Sequence, residues 1–359
     1  MLENTKFCLE KEKALSVVYL GGSITEGAGA SEYSRCWVSL FDTWLKNSHR
    51  DCMIRSFNAG IGGTGTDLGA YRTENDVLSH KPDLVFIEFA VNDFWTEPET
   101  VCASTDAILY KIRSSHPYCD IVFLYTTTKT VSECLSGGGI YPSRTIHSFL
   151  AYRFGEILQI DVGEVLRDRI LSGGKDYASL LPDTVHPNNE GHAIYFEKIK
   201  EVFEKTISEA KILTEIAVLA LPEPCKTEHP RFTAHIEDAD KAEKDGFSTV
   251  DSSLCGKYPH YIEATTPGAS LVYTFYGTKI DLFCMRSADS GNILFSIDGS
   301  DERTVSFWDK YCLEYSRAAI LPLSDWLPDG EHTLKIRVSS EHAEQSKGTA
   351  VRIGAFLII

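Results

Sequence analysis

The sequence predicts an α/β domain followed by an all-β domain. Over residues 1–210, apolar strand-like runs alternate with helical segments five times, which is typical of a parallel sheet with helices on both faces. From residue 222 onward, short runs separated by turn residues replace the helical periodicity, and this change favours a β-sandwich. We therefore expect a first domain over 1–210, a linker over 211–221 and a second domain over 222–359.

Each expected strand of the first domain is an apolar run of buried-strand length. The strongest is DLVFIEFAV, which ends at Asn92-Asp93. The expected strands cover 14–20, 52–58, 83–91, 121–125 and 159–162. Helical spacing of apolar residues or capping signals predict helices around 37–45, over 66–79, from 97 onward, over 142–158 and over 190–210.

The second domain contains short strand-like runs and hairpin-type turns. The clearest runs cover 270–275, 279–285, 292–297 and 332–338. The dipeptides Asp298-Gly299 and Asp329-Gly330 favour tight turns between antiparallel strands. This pattern is typical of a sandwich or a barrel, with strands joined by short connections.

Composition and charge exclude several classes of protein. A formal net charge of −16 is the opposite of the basic balance that binding to nucleic acid or to anionic membranes requires. The hydrophobic content of 43% and the charged content of 24% are ordinary for a soluble globular protein. We therefore expect no nucleic-acid partner and no membrane partner, and we find no apolar stretch long enough to span a bilayer.

The ten cysteines are scattered, and none forms a Cys-x-x-Cys pair. Many lie in apolar runs, as Cys284 does, which is typical of reduced thiols in a cytosolic protein. Neither a disulfide framework nor a zinc cluster is expected. Residues 1–13 are polar and contain no apolar run of signal-peptide length, so we predict a cytoplasmic location.

Four polar features follow predicted strands or lie in the last loop of the first domain. They are Ser23 after the first strand, the turn 60–65 after the second, Asn92 after the third and the loop 183–186 before the last helix. Taken singly, each is also compatible with a helix cap or a surface turn. Because the carboxyl ends of parallel strands face one crevice, we expect the four features to converge.

The converging residue types suit acyl transfer. A serine hydroxyl needs a base to take its proton, and His186 is the candidate base for Ser23. Asp183 precedes the histidine by three residues and is placed to accept the second imidazole N–H and so orient the ring. The backbone N–H groups of Ser23 and Gly63 and the side-chain amide of Asn92 are candidate donors to a developing oxyanion.

Two other kinds of site compete with this interpretation. The turn 60–65 satisfies the dinucleotide pattern G-x-G-x-x-G, but it follows the second strand, and no acidic residue clearly ends the next one. A metal site would have to combine Asp183, His186 and His192. We expect neither, and therefore predict no cofactor and no metal. Ser23 also lacks the G-x-S-x-G context of a typical α/β-hydrolase nucleophile.

Four short motifs contain the candidate residues: GGSIT, NAGIGGTG, AVND and DTVHPN. In this order, over residues 15–205, they resemble the four sequence blocks of the SGNH (GDSL-type) hydrolases. The resemblance implies a three-layer, flavodoxin-like domain with a five-stranded parallel sheet. It also implies that Ser23 is the nucleophile, that Asp183 and His186 complete the triad, and that Gly63 and Asn92 are oxyanion donors.

Two positions complicate this resemblance. Gly22 stands where the family usually has the Asp of Gly-Asp-Ser. Gly62 and Gly63 are adjacent, so the choice of Gly63 as the donor depends on counting from Asn58. Neither position affects the implied triad.

The second domain resembles a carbohydrate-binding β-sandwich of the jelly-roll type. The segments that carry this resemblance are FYGT at 275–278, FSIDG at 295–299 and DGEH at 329–332. A GDSL-type domain joined to such a module resembles two-domain bacterial carbohydrate O-acetyl esterases of the acetylmannan esterase type. The resemblance implies an esterase that removes O-acetyl groups from plant-type oligosaccharides, derived from mannan or xylan, through an acyl-enzyme on Ser23.

Some side chains are candidates for contact with the sugar, because they are aromatic or lie in the loop after the nucleophile. They are Tyr33, Arg35, Trp95, Trp308 and Trp326. Two alternatives stay open: a lipid or thioester hydrolase of the same superfamily, and a glycan-binding protein without catalytic activity. The sequence does not decide the oligomeric state, and a homodimer is among the options.

Overall fold

The computed structural model describes residues 1–155, 157–174, 176–253 and 258–359. The chain divides into two compact units, Met1–Phe232 and Thr233–Ile359. Each unit has a hydrophobic core of its own.

The first unit alternates strands and helices along its length. Its described strands are β1 (Ala14–Gly21), β2 (Met53–Gly60), β3 (Leu84–Glu88), β4 (Asp120–Tyr125) and β5 (Leu158–Asp161). Its described helices are α1 (Glu3–Phe7), α2 (Ser23–Glu26), α3 (Trp37–Ser48), α4 (Thr66–Asp76), α5 (Pro98–Ser115), α6 (Lys129–Ser136), α7 (Pro142–Phe154), α8 (Val162–Ser172) and α9 (Asn189–Glu209). A π-helical turn over Cys8–Glu12 continues α1, and a 3-10 turn over Asn92–Trp95 follows β3.

These strands form one parallel sheet in the order β2-β1-β3-β4-β5. This order is that of a flavodoxin-like, doubly wound fold, so the structure confirms the predicted α/β architecture. The register pairs Gly21 with both Gly60 and Glu88. The carboxyl ends of three neighbouring strands are therefore level, and the polar residues that follow them leave the sheet from adjacent positions.

The central strand β1 is buried on both faces, as its apolar run predicts. Residues 17–20 are all 0% exposed. The ring of Tyr19 stacks on Phe86 with centroids 5.3 Å apart and meets Trp37 edge-on at 5.6 Å. Trp44, which helical spacing also assigns to packing, lies against the same core. Aromatic contacts of this kind hold β1 firmly, and with it the point where Ser23 leaves the sheet.

Four described helices of the first unit, α1, α2, α6 and α8, are absent from the sequence prediction, and the last two begin at side-chain caps. The Thr128 hydroxyl before α6 accepts the N–H of Val131 at 3.1 Å, and the Asp161 carboxylate before α8 accepts the N–H of Glu164 at 2.7 Å. Both are ordinary N-caps. The helices have only 8 and 11 residues, so their periodicity is a weak signal.

Residues 211–232 run along the first unit rather than beginning the second. The N–H of Ala217 donates to Asn4 Oδ1 at 2.8 Å, and the N–H of Cys225 donates to Asp106 Oδ2 at 2.6 Å. These side chains belong to α1 and α5. The observed division between the units, after Phe232, therefore falls later than the boundary expected at 222.

The second unit consists of antiparallel strands in two sheets. Its described strands are β6 (His235–Asp238), β7 (Glu243–Asp245), β8 (Ser248–Val250), β9 (Tyr261–Ala264), β10 (Ser270–Gly277), β11 (Ile280–Arg286), β12 (Asn292–Ile297), β13 (Arg303–Ser306), β14 (Arg317–Pro322), β15 (Gly330–Val338) and β16 (Val351–Ile358). One sheet has the order β13-β12-β15-β10-β7, and the other has β14-β11-β16-β9-β8 with β6 also paired to β16. The structure thus confirms an all-β second part.

One predicted turn of this unit has the expected geometry and the other does not. Asp298 and Gly299 both have positive φ, 53° and 74°, as a type I′ hairpin turn requires. Gly330, by contrast, is already the first residue of β15 and pairs with Gly277. The dipeptide Asp329-Gly330 therefore begins a strand rather than forming a tight turn.

Two further properties bear on the expectations from composition. Among the described helices, none combines the length and the apolar character that crossing a membrane requires. The nine described cysteines are free thiols. Cys255 lies outside the described residues.

Candidate active site

Ser23 begins the one-turn helix α2 directly after β1. Two glycines precede it, and both lie close to the next strand end. A Cβ on Gly21 would lie 2.8 Å from the backbone oxygen of Glu88, and a Cβ on Gly22 would lie 3.0 Å from Asn92 Nδ2. Gly22, the departure from the family pattern, thus allows the Asn92 amide to approach the turn that carries the serine.

Ser23 and the loop 183–186 meet in space although they are far apart in the chain. The Ser23 Oγ lies 2.7 Å from His186 Nε2. The other ring nitrogen, Nδ1, lies 2.6 Å from Asp183 Oδ2. This arrangement lets Nδ1–H donate to the carboxylate while Nε2 accepts the serine proton. The structure therefore brings together the three residues that the sequence predicts as a triad.

Asp183 is held in place by its own loop. Its Oδ1 accepts the backbone N–H groups of Val185 at 3.0 Å and His186 at 2.7 Å. Burial raises the pKa of Asp183, but these hydrogen bonds and the imidazole of His186 outweigh it and lower the pKa below its ordinary value. The carboxylate is thus ionised at neutral pH, and it can stabilise the imidazolium that forms when the histidine takes a proton.

The two candidate oxyanion loops lie against the nucleophile turn. A Cβ on Gly62 would be 3.6 Å from the Cβ of Ser23, and the N–H of Gly62 donates to Glu26 Oε2 at 2.8 Å. Because the Gly62 N–H is already hydrogen-bonded to Glu26, the neighbouring Gly63 N–H is the candidate oxyanion donor in this loop. Gly63 has a φ of 72°, and a Cβ there would have no neighbour within 4 Å among the described residues. The space on the side-chain side of Gly63 is therefore open.

A second set of contacts ties the loop after Ser23 to the start of α9. The Asn189 side chain accepts the Ser31 N–H and donates to the Ser31 hydroxyl, both at 2.9 Å. His192 accepts the Trp37 N–H at Nδ1 (3.3 Å) and donates from Nε2 to the Ala28 carbonyl (3.0 Å). Burial lowers the pKa of His192 to about 4, so its ring is neutral. These bonds keep the serine loop and the histidine loop at a constant separation.

His192 is accordingly a core histidine rather than a metal ligand. Within the described residues, no three His, Cys, Asp or Glu side chains are grouped as they would be around a metal ion.

The predicted sugar-contacting residues have very different surroundings. Trp95 is 82% exposed and follows Asn92 in the same 3-10 turn. Tyr33 is 54% exposed, and its hydroxyl accepts a hydrogen bond from Asn58 at 3.2 Å. Arg35 is exposed and paired with Glu32 at 3.0 Å. These side chains belong to loops that follow β1 and β3.

The other two candidates, Trp308 and Trp326, lie in the second unit and are partly buried. The indole N–H of Trp308 is buried and has no hydrogen-bond partner among the described residues. The ring of Trp326 has Lys279 Nζ at 5.9 Å from its centroid.

Sequence reasoning missed two carboxylates beside the nucleophile turn. Glu26 binds the N–H of Gly62, as described above, and Glu88 lies buried behind the turn. The signal for Glu88 was available, because a glutamate inside the apolar run DLVFIEFAV is a charge in a strand expected to be buried on both faces. A similar signal is absent for Glu26, which follows Thr25 in an ordinary polar stretch.

Comparison with known proteins finds a family model that matches most of the first unit. Residues 19–194 match the model of the "GDSL-like Lipase/Acylhydrolase family". Among curated proteins, the platelet-activating factor acetylhydrolase IB subunit alpha1 of Homo sapiens is 28% identical over 115 residues. The same protein of Pongo abelii has the same identity over the same length. These matches cover 32% of this chain and 44% of each relative, so the chain spans less than half the length of the curated relatives it matches.

Among solved structures, a two-domain esterase active on acetylated mannans has the same fold over the whole chain. It superposes with a TM-score of 0.82 at 20% identity, covering 100% of this chain and 95% of that one. The same esterase co-crystallised with mannopentaose gives a TM-score of 0.81 at 20% identity, with 99% and 94% coverage. At this identity the likeness establishes the two-part fold.

Proposed function

We propose that this chain, whose residues 19–194 form a GDSL-type hydrolase domain, is a serine esterase that removes O-acetyl groups from plant-type oligosaccharides. The observation that carries the proposal is the line of two short contacts from Ser23 through His186 to Asp183, at 2.7 and 2.6 Å. A serine, a base and an orienting acid in this geometry are the parts that nucleophilic ester hydrolysis needs.

In the first half-reaction, His186 Nε2 takes the Ser23 proton as Oγ attacks the acetyl carbonyl carbon. The carbonyl oxygen becomes an oxyanion, which the N–H groups of Ser23 and Gly63 and the amide of Asn92 are placed to stabilise. The protonated imidazole then donates its proton to the sugar oxygen, and the C–O ester bond breaks. The sugar alcohol leaves, and an acetyl group remains on Ser23.

In the second half-reaction, water takes the place of the sugar alcohol. His186 removes a proton from the water as its oxygen attacks the acetyl carbon, and the same donors stabilise the second oxyanion. The imidazolium returns the proton to Ser23 Oγ, which releases acetate and restores the enzyme. Throughout both steps, the ionised Asp183 stabilises the positive charge on His186.

Two kinds of relative support acetyl as the acyl group. The solved structure with the same two-part fold is an esterase active on acetylated mannans, and the curated relatives are acetylhydrolases. A carbohydrate as the alcohol part is supported by the two-part fold and by the mannopentaose in one of those structures. Mannan- and xylan-derived oligosaccharides are therefore the first substrates to test.

The exposed ring of Trp95 is the strongest candidate for stacking on a sugar. It is 82% exposed and only three residues from the oxyanion candidate Asn92. A ring this exposed adds little to packing, whereas it presents a broad apolar face to a ligand. Tyr33 and Arg35 are proposed to contact the substrate from the loop after Ser23, and Trp308 and Trp326 from the second unit.

The proposal is tested by mass spectrometry of acetylated mannan, xylan and chitin oligosaccharides before and after incubation with enzyme. Wild-type enzyme is expected to remove acetyl groups, and Ser23→Ala is expected to lose on the order of 10⁴-fold or more of the activity. Ser208→Ala, which changes an exposed serine on α9, serves as the matched control and should be fully active. A wild type no faster than Ser23→Ala would overturn the esterase proposal and favour a glycan-binding protein without catalytic activity.

The dependence of activity on acyl chain length distinguishes an acetyl esterase from the alternative, a lipid or thioester hydrolase. On nitrophenyl esters, an acetyl esterase should lose activity steeply as the acyl chain grows, because its acyl pocket accepts only a short group. Activity that rises with chain length would overturn the acetyl assignment while leaving the serine mechanism intact.

A cytoplasmic location, in which the enzyme would act on imported oligosaccharides, is proposed from the reduced-thiol composition. Cell fractionation with an antibody to this chain tests it, and recovery outside the cytoplasmic fraction would contradict it.

A further inference from the structure

A carboxylate lies buried behind the turn that carries the nucleophile. Glu88, the last residue of β3, is 1% exposed. Its Oε2 accepts the Thr25 hydroxyl at 3.0 Å, and its Oε1 accepts the Thr126 hydroxyl at 2.8 Å. The backbone N–H groups of Gly22 and Thr25 also lie near this carboxyl group and lower its pKa. Hydroxyl and N–H groups around a carboxyl group favour its ionised form, because that form can only accept hydrogen bonds.

The donors belong to the elements that must be aligned for catalysis. Gly22 and Thr25 lie on the two sides of Ser23, so Glu88 binds the chain before the nucleophile through its backbone carbonyl and the chain after it through its carboxylate. Thr126 follows β4 and connects the same carboxylate to the neighbouring strand. The backbone carbonyl of Glu88 also accepts the Gly22 N–H at 3.2 Å. Burying a charge is unfavourable unless it is fully hydrogen-bonded, so a purely structural role would be served better by an apolar residue.

We propose that Glu88 is a positioning residue for the nucleophile, whose ionised carboxylate holds the turn around Ser23 so that its hydroxyl faces His186. The inference rests on the proposed serine esterase function. Glu88 does not touch the reacting atoms, and it acts only through Gly22 and the Thr25 side chain.

The protonation state of Glu88 connects this role to pH. Burial raises its pKa to about 7, and the hydrogen bonds from Thr126 and Thr25 oppose the rise. The ionisable side chains that interact with it electrostatically are Asp93, Tyr141 and Tyr195. When Glu88 is protonated, its charge is lost and the hydrogen bonds that it accepts from Thr25 and Thr126 weaken. Activity therefore requires two deprotonated groups on the acid side, His186 and Glu88.

The test compares kcat against pH for wild type, Glu88→Gln and Asp120→Asn on 4-nitrophenyl acetate. Asp120 is a matched control, because it is also buried and accepts the N–H and hydroxyl of Thr5, each at 2.7 Å, but lies at the first residue of β4, away from Ser23. In wild type, log kcat should fall with a limiting slope of two on the acid side. In Glu88→Gln the slope should fall to one and kcat should drop on the order of 100-fold, as expected when a nucleophile is misplaced. KM should change less than kcat.

A milder variant keeps the inference testable if Glu88→Gln does not fold. Thr126→Val removes one hydroxyl donor at nearly constant volume, so it should raise the pKa of Glu88 and shift the acid limb to higher pH. Asp120→Asn should leave both slope and kcat as in wild type. Three results would overturn the inference. They are a limiting acid-side slope of one for log kcat in wild type, a wild-type kcat in Glu88→Gln, and equal losses of kcat in Glu88→Gln and Asp120→Asn. Failure of the proposed function itself is recognised separately, as a wild type no faster than Ser23→Ala.

Discussion

Carboxylates in the first unit and in the second unit lie in opposite environments. In the first unit, Glu88 and Asp93 are 1% exposed, and their partners include hydroxyl and backbone N–H groups. Burial raises their pKa to about 7 and about 8 respectively. Both residues lie at or just after the end of β3, beside the loops that carry Ser23 and Gly63.

At Asp289 and Asp309, in the second unit, the partners are arginines. Asp289 is bound by both terminal nitrogens of Arg352 at 2.8 Å, and this pairing lowers its pKa. At Asp309, burial raises the pKa, but the guanidinium groups of Arg317 and Arg286 outweigh it and the net shift is downward. Arg352 also binds Glu263, so this cluster links the strand pair β16 and β9 to the chain after β11.

The contrast separates two uses of charge. Glu88 and Asp93 are buried against hydroxyl and N–H groups, so their ionised forms disfavour folding, and both lie beside the candidate site. Asp289 and Asp309 are neutralised in ion pairs with arginines. Changes to the first set should therefore affect turnover, and changes to the second set should affect stability alone.

The largest effect is expected from one aspartate in each unit. Asp183→Asn removes the acceptor that orients His186, so kcat should fall on the order of 10⁴-fold with little change in melting temperature. Asp309→Asn should do the reverse, with lower stability and unchanged kcat on 4-nitrophenyl acetate. Kinetics and thermal unfolding of both variants check this. A large loss of kcat in Asp309→Asn would contradict the prediction that this second-unit carboxylate affects stability alone.

The next effect concerns stability. Arg352→Met leaves Asp289 and Glu263 without their cation, and it should destabilise the second unit by roughly 2–3 kcal/mol, since the arginine side chain is largely buried. Arg337→Met, which breaks an exposed pair with Glu302, should cost less than about 1 kcal/mol. Urea denaturation measures both. Equal costs in the two variants would show that burial does not govern these ion pairs.

The two units should also respond oppositely to pH. The pKa values of Glu88 and Asp93 are higher folded than unfolded, so their contribution to stability is greatest at low pH and is lost as pH rises from about 4 towards 7 and 8. The first unit should thus become less stable between pH 5 and pH 8. Asp289 and Asp309 have lowered pKa values, so their stabilisation is present above about pH 4 and is lost below it. Hydrogen exchange followed separately in each unit measures this, and parallel trends would contradict it.

The smallest effect is on substrate affinity. Trp95→Ala should raise KM for an acetylated oligosaccharide about fivefold, which corresponds to ~1 kcal/mol of lost stacking. KM for 4-nitrophenyl acetate, which has no sugar, should not change. Trp308→Ala and Trp326→Ala, measured in parallel, report the contribution of the second unit. If only these two variants raise KM, Trp95 is not the stacking residue.

Much of this architecture could be predicted because strand ends carry local signals. The apolar runs before Ser23 and Asn92 identify buried parallel strands, and their carboxyl ends determine where the following polar residues meet. For the loop 183–186, the only sequence signal that predicts a position at this edge of the sheet is that it precedes the last helix. Its contact with Ser23 depends on the packing of α9, which no local pattern encodes.

Other features depend on contacts distant in sequence. Residues 211–221 read as a linker and residue 222 as the start of the second domain, yet the backbone N–H groups of Ala217 and Cys225 are bound by Asn4 and Asp106 of the first unit. The ambiguity between Gly62 and Gly63 is likewise resolved by a side chain, Glu26, whose sequence position carries no signal. Short helices such as α6 are determined by a single cap, which periodicity does not register.

The compact Asp183–His186 loop has a consequence for how such a protein can change over evolutionary time. Base and acid lie three residues apart and hold each other through hydrogen bonds within the loop, whereas the nucleophile lies on a different element. A single short deletion would therefore remove two of the three triad residues at once and leave the sheet, Ser23 and the candidate oxyanion donors in place. If the proposed function holds, the product would bind the ester without cleaving it. One deletion would thus convert the enzyme into a binding protein.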